Sequence, residues 1–166
     1  MITHPILSDL AKHGVRMGLR NLEDFLAHLQ ITRDHFGFVI HVGGTNGKGS
    51  VCRMLEAIYR DAGYSVGLYT SPHLEQVNER IRLNGESIGD ETLSGLLGKT
   101  QKESIEWFHQ DEASLSEDVP LTYFEMMTAV AIQYFAEHNV EVLILEVGLG
   151  GRLDATNLFD TSVSAI

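Results

Sequence analysis

The sequence predicts an α/β fold: a mostly parallel sheet with helices on both faces and one small β-hairpin. Three observations carry this. Short β-branched apolar runs alternate along the chain with longer stretches of helical periodicity. One such run, FVIHV, passes straight into the glycine-rich turn GGTNGKGS and then into a helix-periodic segment. Asn84-Gly85 sits inside the alternating stretch RIRLNGESI, a strong hairpin signal.

The elements follow in order. Near the start, Asn21 is the expected N-cap of a short helix carrying Leu22, Phe25, Leu26 and Leu29. Phe38 to Val42 reads as a buried strand. After the glycine turn, Val51, Met54, Leu55, Ile58, Tyr59 and Ala62 recur at helical spacing, and Gly63 closes that helix. Ser65 to Tyr69 is a second strand, and Asp90 is the expected cap of the helix after the hairpin. Residues 109–120 are polar and acidic and read as a surface loop. Thr122 to Asn139 is an apolar helix, Val140 to Gly148 the clearest buried strand, and Ser162 to Ile166 the start of another.

The chain has 166 residues, enough for one domain with its own core. One cysteine, Cys52, excludes an internal disulfide and suits a reducing compartment, so a cytoplasmic location is expected. No apolar run approaches the length of a membrane span, and no export signal opens the chain. The net charge of −11 is lopsided. Residues 1–102 hold 11 basic and 11 acidic residues, whereas residues 103–166 hold one base, Arg152, and 12 acids. Such a chain lacks the cations to neutralise a run of phosphates, so no nucleic-acid partner is expected.

Five features could carry chemistry. In Gly43-Gly44-Thr45-Asn46-Gly47-Lys48-Gly49-Ser50, small residues let the backbone wrap a phosphate, the helix start offers its amides, and Lys48 adds a charge. The pattern departs from GxxxxGK[ST]: Val42 takes the first glycine position and Gly49 separates Lys48 from Ser50. Glu146 ends a strand so apolar that packing has no use for a carboxylate there; such a group beside a P-loop can hold Mg²⁺. Thr70-Ser71-Pro72-His73 falls on the same rim and reads equally as a Ser-Pro turn or as a hydroxyl ligand to the metal. Thr122-Tyr123-Phe124-Glu125 matches a capping box. GLGGRLDATN, Gly148 to Asn157, is a loop whose glycines permit close backbone approach, with or without a ligand.

Together HVGGTNGKGS, YTSPHLEQVNERIRLNG, TYFEMMTAVA and EVGLGGRLDATN, in this order and spacing, resemble the bifunctional dihydrofolate synthase/folylpolyglutamate synthases. These belong to the wider Mur-ligase-like group of ATP-dependent amide ligases. The resemblance runs from about Gly18 to the end, and the GKGS form is more specific to the folate branch.

The resemblance implies a Mur-ligase-like ATPase domain and the addition of L-glutamate to dihydropteroate or a reduced folate, with ATP and Mg²⁺, by a monomer. It implies that Gly44, Thr45, Asn46, Gly47, Lys48, Gly49 and Ser50 form the ATP-phosphate loop, with Lys48 catalytic. Ser71 and Glu146 would be magnesium ligands. Thr122, Tyr123, Phe124, Glu125, Leu153, Asp154 and Ala155, with Gly18 and Leu19, would line the pteroate site. Family members continue further, so a third metal ligand (a histidine), a modified lysine and a C-terminal glutamate-ligase domain are expected after Ile166. The 166 residues are then an N-terminal, incomplete ATP-binding domain, inactive alone. Another Mur-type amide ligase and an inactive nucleotide-binding piece are the competing expectations.

Overall fold

Four strands of the sheet are parallel: β1 (Phe38–Val42), β2 (Val66–Tyr69), β5 (Val142–Glu146) and, at one edge, β6 (Val163–Ala165). Two short strands, β3 (Ile81–Leu83) and β4 (Glu86–Ser87), extend it antiparallel on the β2 side. The order is β4-β3-β2-β5-β1-β6. The computed structural model describes residues 4–14, 18–109 and 120–166, without the side chain of His13.

Because strand side chains alternate between faces, the sheet sorts its apolar residues into two cores. Ile40, Val42, Val66, Leu68, Val142 and Ile144 meet Cys52 of helix α3 (Lys48–Asp61), with Leu55 and Tyr59 packed against them. Val39, Tyr69, Leu143 and Leu145 face the other way, onto helix α5 (Tyr123–Glu137). That larger core also takes Leu93, Leu96 and Leu97 of α4 (Asp90–Phe108), Leu22, Phe25 and Leu26 of α2 (Arg20–His28), and Leu7 and Leu10 of α1 (Pro5–Leu10). All five residues of β5 are buried, and each fully buried leucine or isoleucine there contributes roughly 1.5–3 kcal/mol. Gly67 lets α5 approach β2 this closely: a Cβ at that position would stand 2.8 Å from the Phe135 ring.

The helices lie on both faces, as the alternation predicts. Asn84 and Gly85 turn the β3–β4 hairpin with φ of 51° and 90°, and Leu83 pairs with Glu86. Buried Glu56 of α3 ties this hairpin down, accepting from Arg82 Nε (3.3 Å) and from the Gly85 N–H (3.1 Å). Gly63 follows the α3 C-cap with φ 91°.

Two expected caps are corrected. α2 begins at Arg20 after Leu19, so Asn21 lies inside the helix, and its amide donates to the Pro120 carbonyl at 3.4 Å. Helix α4 has Gly89 as N-cap, and Asp90 is its first residue, where a carboxylate still favours the helix dipole. In both, the long-range fit of the helix set the boundary against the local capping preference. Most of the expected acidic loop, residues 110–119, lies outside the described residues.

Candidate functional site

Parallel strands in this order bring the C-terminal ends of β1, β5 and β2 side by side, the rim where open α/β sheets bind ligands. Three segments leave that rim: the glycine turn after β1, Val147 onward after β5, and Thr70 onward after β2.

Gly44, Thr45, Asn46 and Gly47 form an exposed turn ahead of α3. Gly47 is its N-cap, with φ 80°, a conformation that residues with a Cβ rarely adopt. No side chain caps α3 and no acidic residue stands in its first turn. Its first amides and the positive end of its dipole therefore face the turn, the arrangement that receives an anion. Lys48, Gly49 and Ser50 open this helix, and Lys48 Nζ donates to the Gly44 carbonyl at 3.0 Å.

Glu146 pairs in register with Val42, on the α3 side of the sheet. Its Oε1 lies 3.6 Å from where a Cβ on Gly49 would stand, and its Oε2 accepts from the Ser71 N–H at 3.0 Å. The carboxylate thus joins α3, the β5 end and the segment after β2. Burial pushes its pKa up, and the Ser71 N–H, then the Lys48 charge, offset part of that. Cys52, one turn into α3, is fully buried; burial, then the Glu146 charge, push its thiol up to about 12, so it stays a neutral packing group. Ser71 and Glu146 are hard oxygen donors suited to Mg²⁺. Among the described residues no three or more His, Cys, Asp and Glu side chains form a group that could hold a metal ion by themselves.

Beside this rim lies a small cleft of about 90 Å³, lined by Gly14, Gly18, Thr122–Glu125, Leu149 and Leu153–Ala155. It takes in every residue expected at the acceptor site except Leu19, which is the N-cap of α2 and is not among the lining residues. Gly14 and Leu149 are additions.

Two carboxylates at this cleft also build its walls. Glu125 Oε2 accepts from the N–H and the hydroxyl of Thr122, both at 2.8 Å, closing the capping box at the start of α5. Asp154 accepts from the Leu149 N–H (2.6 Å), the Thr156 N–H (2.9 Å) and the Thr156 hydroxyl (2.5 Å). Thr156 in turn meets His41 Nε2 at 2.8 Å, linking the loop to β1. Phe124 fits against Gly148, where a Cβ would stand 2.6 Å from Cζ of its ring. Two aromatic side chains, Tyr123 and Phe124, thus line the cleft together with two hydrogen-bonded carboxylates.

Sequence reasoning missed Arg80, at the end of the 3₁₀ turn Val77–Arg80. It is 8% exposed, donates from Nε to His73 Nδ1 (2.9 Å) and stacks on the Tyr123 ring. No local pattern marks it, because its burial comes from α5, forty residues away in the chain.

Known proteins share this sequence and fold. No family model matches the chain. A probable bifunctional folylpolyglutamate synthase/dihydropteroate synthase of Haloferax volcanii is 41% identical over 160 residues, 96% of this chain and 18% of that protein. The dihydrofolate synthase/folylpolyglutamate synthase of Escherichia coli K12 is 38% identical over 96% of this chain and 35% of its own length. Among solved structures, E. coli FolC in complex with DHPP and ADP superposes with a TM-score of 0.82 at 37% identity, over 98% of this chain and 37% of that one. A bifunctional folylpolyglutamate synthase/dihydrofolate synthase with Mn, AMPPNP and L-glutamate bound gives 0.81 at 36% identity, with the same coverage of 98% and 37%. The chain spans about a third or less of the length of the curated relatives it matches. In sequence and in fold alike, the chain is a homologue of one part of the dihydrofolate synthase/folylpolyglutamate synthases.

Proposed function

We propose that this chain is the ATP-binding part of a ligase that joins L-glutamate to dihydropteroate, to a reduced folate, or to both. The observation that carries this is the abutment of two sites on one rim. An uncapped, lysine-bearing helix start faces Glu146, and an aromatic cleft opens beside it.

The reaction has two steps. A carboxylate oxygen of the acceptor attacks the γ-phosphorus of ATP; the bond to the β,γ-bridging oxygen breaks, giving an acyl phosphate and ADP. The glutamate amine then attacks the acyl carbon, inorganic phosphate leaves, and the amine loses a proton as the amide forms. The chain's own residues position the reactants and offset charge. Gly44 to Ser50 hold the phosphates, with Lys48 at the transferring group. Tyr123 and Phe124 take the planar ring system of the acceptor, and Gly18, Thr122, Glu125, Leu153, Asp154 and Ala155 shape its cleft. Ser71 and Glu146 would hold Mg²⁺, which supplies Lewis-acid charge neutralisation when bound. The relatives' greater length is the place for the glutamate-binding part and a further metal ligand. The protein works as a monomer in the cytoplasm; no helix among the described residues is long and apolar enough to cross a membrane.

The test uses the protein expressed from its complete coding sequence. ADP release should require both L-glutamate and a pteroate or folate acceptor. Lys48→Ala should lower it by two to three orders of magnitude, the scale of one electrostatic group at a transition state. Near-normal ADP formation in that variant would overturn the assignment, and turnover with a sugar-peptide acceptor in place of a folate would move the chain to another branch of the ligases.

A further inference from the structure

Arg80 carries a buried positive charge with no negative partner. It is 8% exposed, and among the described residues no carboxylate lies within ion-pair distance of its guanidinium. The adjacent carboxylate, Glu79, is used elsewhere: it accepts from the N–H groups of Leu74 (2.8 Å), Glu75 (3.0 Å) and Gln76 (2.8 Å). The two groups that do touch the guanidinium bring no negative charge. His73 accepts through Nδ1, as a neutral imidazole does, and Tyr123 offers its ring face, 5.4 Å from Cζ to the centroid. A guanidinium does not lose its proton, so it stays charged here, and its terminal nitrogens, which make no hydrogen bond to the described residues, can take an anion.

Its two neighbours show where that anion would sit. Tyr123 lines the aromatic cleft. His73 belongs to the segment after β2 that starts beside Ser71, whose N–H holds Glu146. Arg80 therefore stands at the seam between the cleft and the phosphate rim. The phosphates already have the α3 N-terminus and Lys48. The group that must lie at the seam is the acceptor's carboxylate, fixed to a ring in the cleft and aimed at the γ-phosphorus.

We propose that Arg80 binds the acceptor's reacting carboxylate through its terminal nitrogens, and so selects acids over neutral analogues. This rests on the ligase assignment above. The guanidinium fork matches a carboxylate oxygen for oxygen, and the Tyr123 ring and His73 hold the fork in place.

The test is equilibrium binding of dihydropteroate, of its carboxamide, and of a non-hydrolysable ATP analogue to the protein from its complete coding sequence. The wild type should prefer the acid over the amide by about 10- to 100-fold. Arg80→Gln should abolish that preference while the ATP analogue binds within about twofold, a sign that the fold is intact. If both acid and amide weaken together and the preference survives, Arg80 is only a packing residue and the proposal fails. If the ATP analogue weakens and the preference survives, the guanidinium serves phosphate and the proposal also fails. A wild type that binds the nucleotide but neither pteroate compound would overturn the ligase assignment itself, and this inference with it. Should Arg80→Gln melt below the assay temperature, Arg80→Lys decides the matter: a point charge without the fork should keep only part of the preference, and an undiminished one would overturn the proposed pairing.

Discussion

The backbone N–H of Ser71 donates to Glu146 Oε2 across 3.0 Å, joining residues 75 positions apart. The bond exists because β2 and β5 are parallel neighbours whose ends lie level, with Tyr69 opposite Leu145. It fixes the carboxylate between the segment after β2 and the start of α3. Burial raises the cost of its charge, and the Ser71 N–H offsets part of that cost.

Glu146→Gln retains the shape and an oxygen to accept from Ser71, and removes the charge. On the ligase assignment this should lower turnover by about a hundredfold, corresponding to about 3 kcal/mol of lost charge stabilisation. It should also raise the Mg²⁺ concentration needed for half-maximal rate, while nucleotide binding without metal changes little. An unaltered Mg²⁺ titration would remove Glu146 from the metal site.

Thr122 serves two roles that substitution can separate. Its hydroxyl and N–H close the capping box with Glu125, and it lines the cleft. Thr122→Ala should cost about 1 kcal/mol of stability through the lost cap. Thr122→Ser keeps the cap hydroxyl and removes only a methyl group from the cleft, so it should melt near the wild type. Denaturant titration of the three proteins checks this, and equal losses for Ala and Ser would refute the capping account.

His41 predicts a pH dependence. Burial lowers its pKa below the ordinary 6.5, and the Asp154 charge offsets only part of that. The unfolded chain therefore binds a proton at His41 before the folded protein does. Stability contributed by the neutral, Thr156-bonded ring is complete above about pH 6.5 and declines as pH falls below it. Thermal melts between pH 7.5 and about 5.5 should show this decline, and His41→Gln should flatten it. Parallel profiles for the two proteins would exclude His41 as the cause.

The sequence by itself determined what is local in this protein. FVIHV and VEVLILEVG are strands because continuous β-branched and aliphatic runs need cover on both faces. Asn84-Gly85 is a turn because both residues tolerate positive φ, and Thr122 starts α5 because its side chain and Glu125 satisfy each other's amides. The glycine turn before α3 is legible for the same reason, since its chemistry lies in adjacent residues. Local preference was insufficient at Asn21 and Asp90, where packing of the whole helix placed the cap one or two residues earlier. Only the tertiary structure decided the rest: that β5 lies between β1 and β2, so that Glu146 faces Gly49 and holds Ser71; that Asp154 turns its carboxylate into its own loop; that Leu19 stays out of the cleft. Arg80 is the clearest case. Its sequence neighbours mark it as an ordinary surface cation, and its burial without an anion arises only when α5, from far along the chain, lays Tyr123 over it. Dihedral preferences and capping hydrogen bonds act between neighbours in sequence, whereas burial, the cost of an unpaired charge and hydrogen bonds such as that from Ser71 to Glu146 depend on what long-range packing brings near.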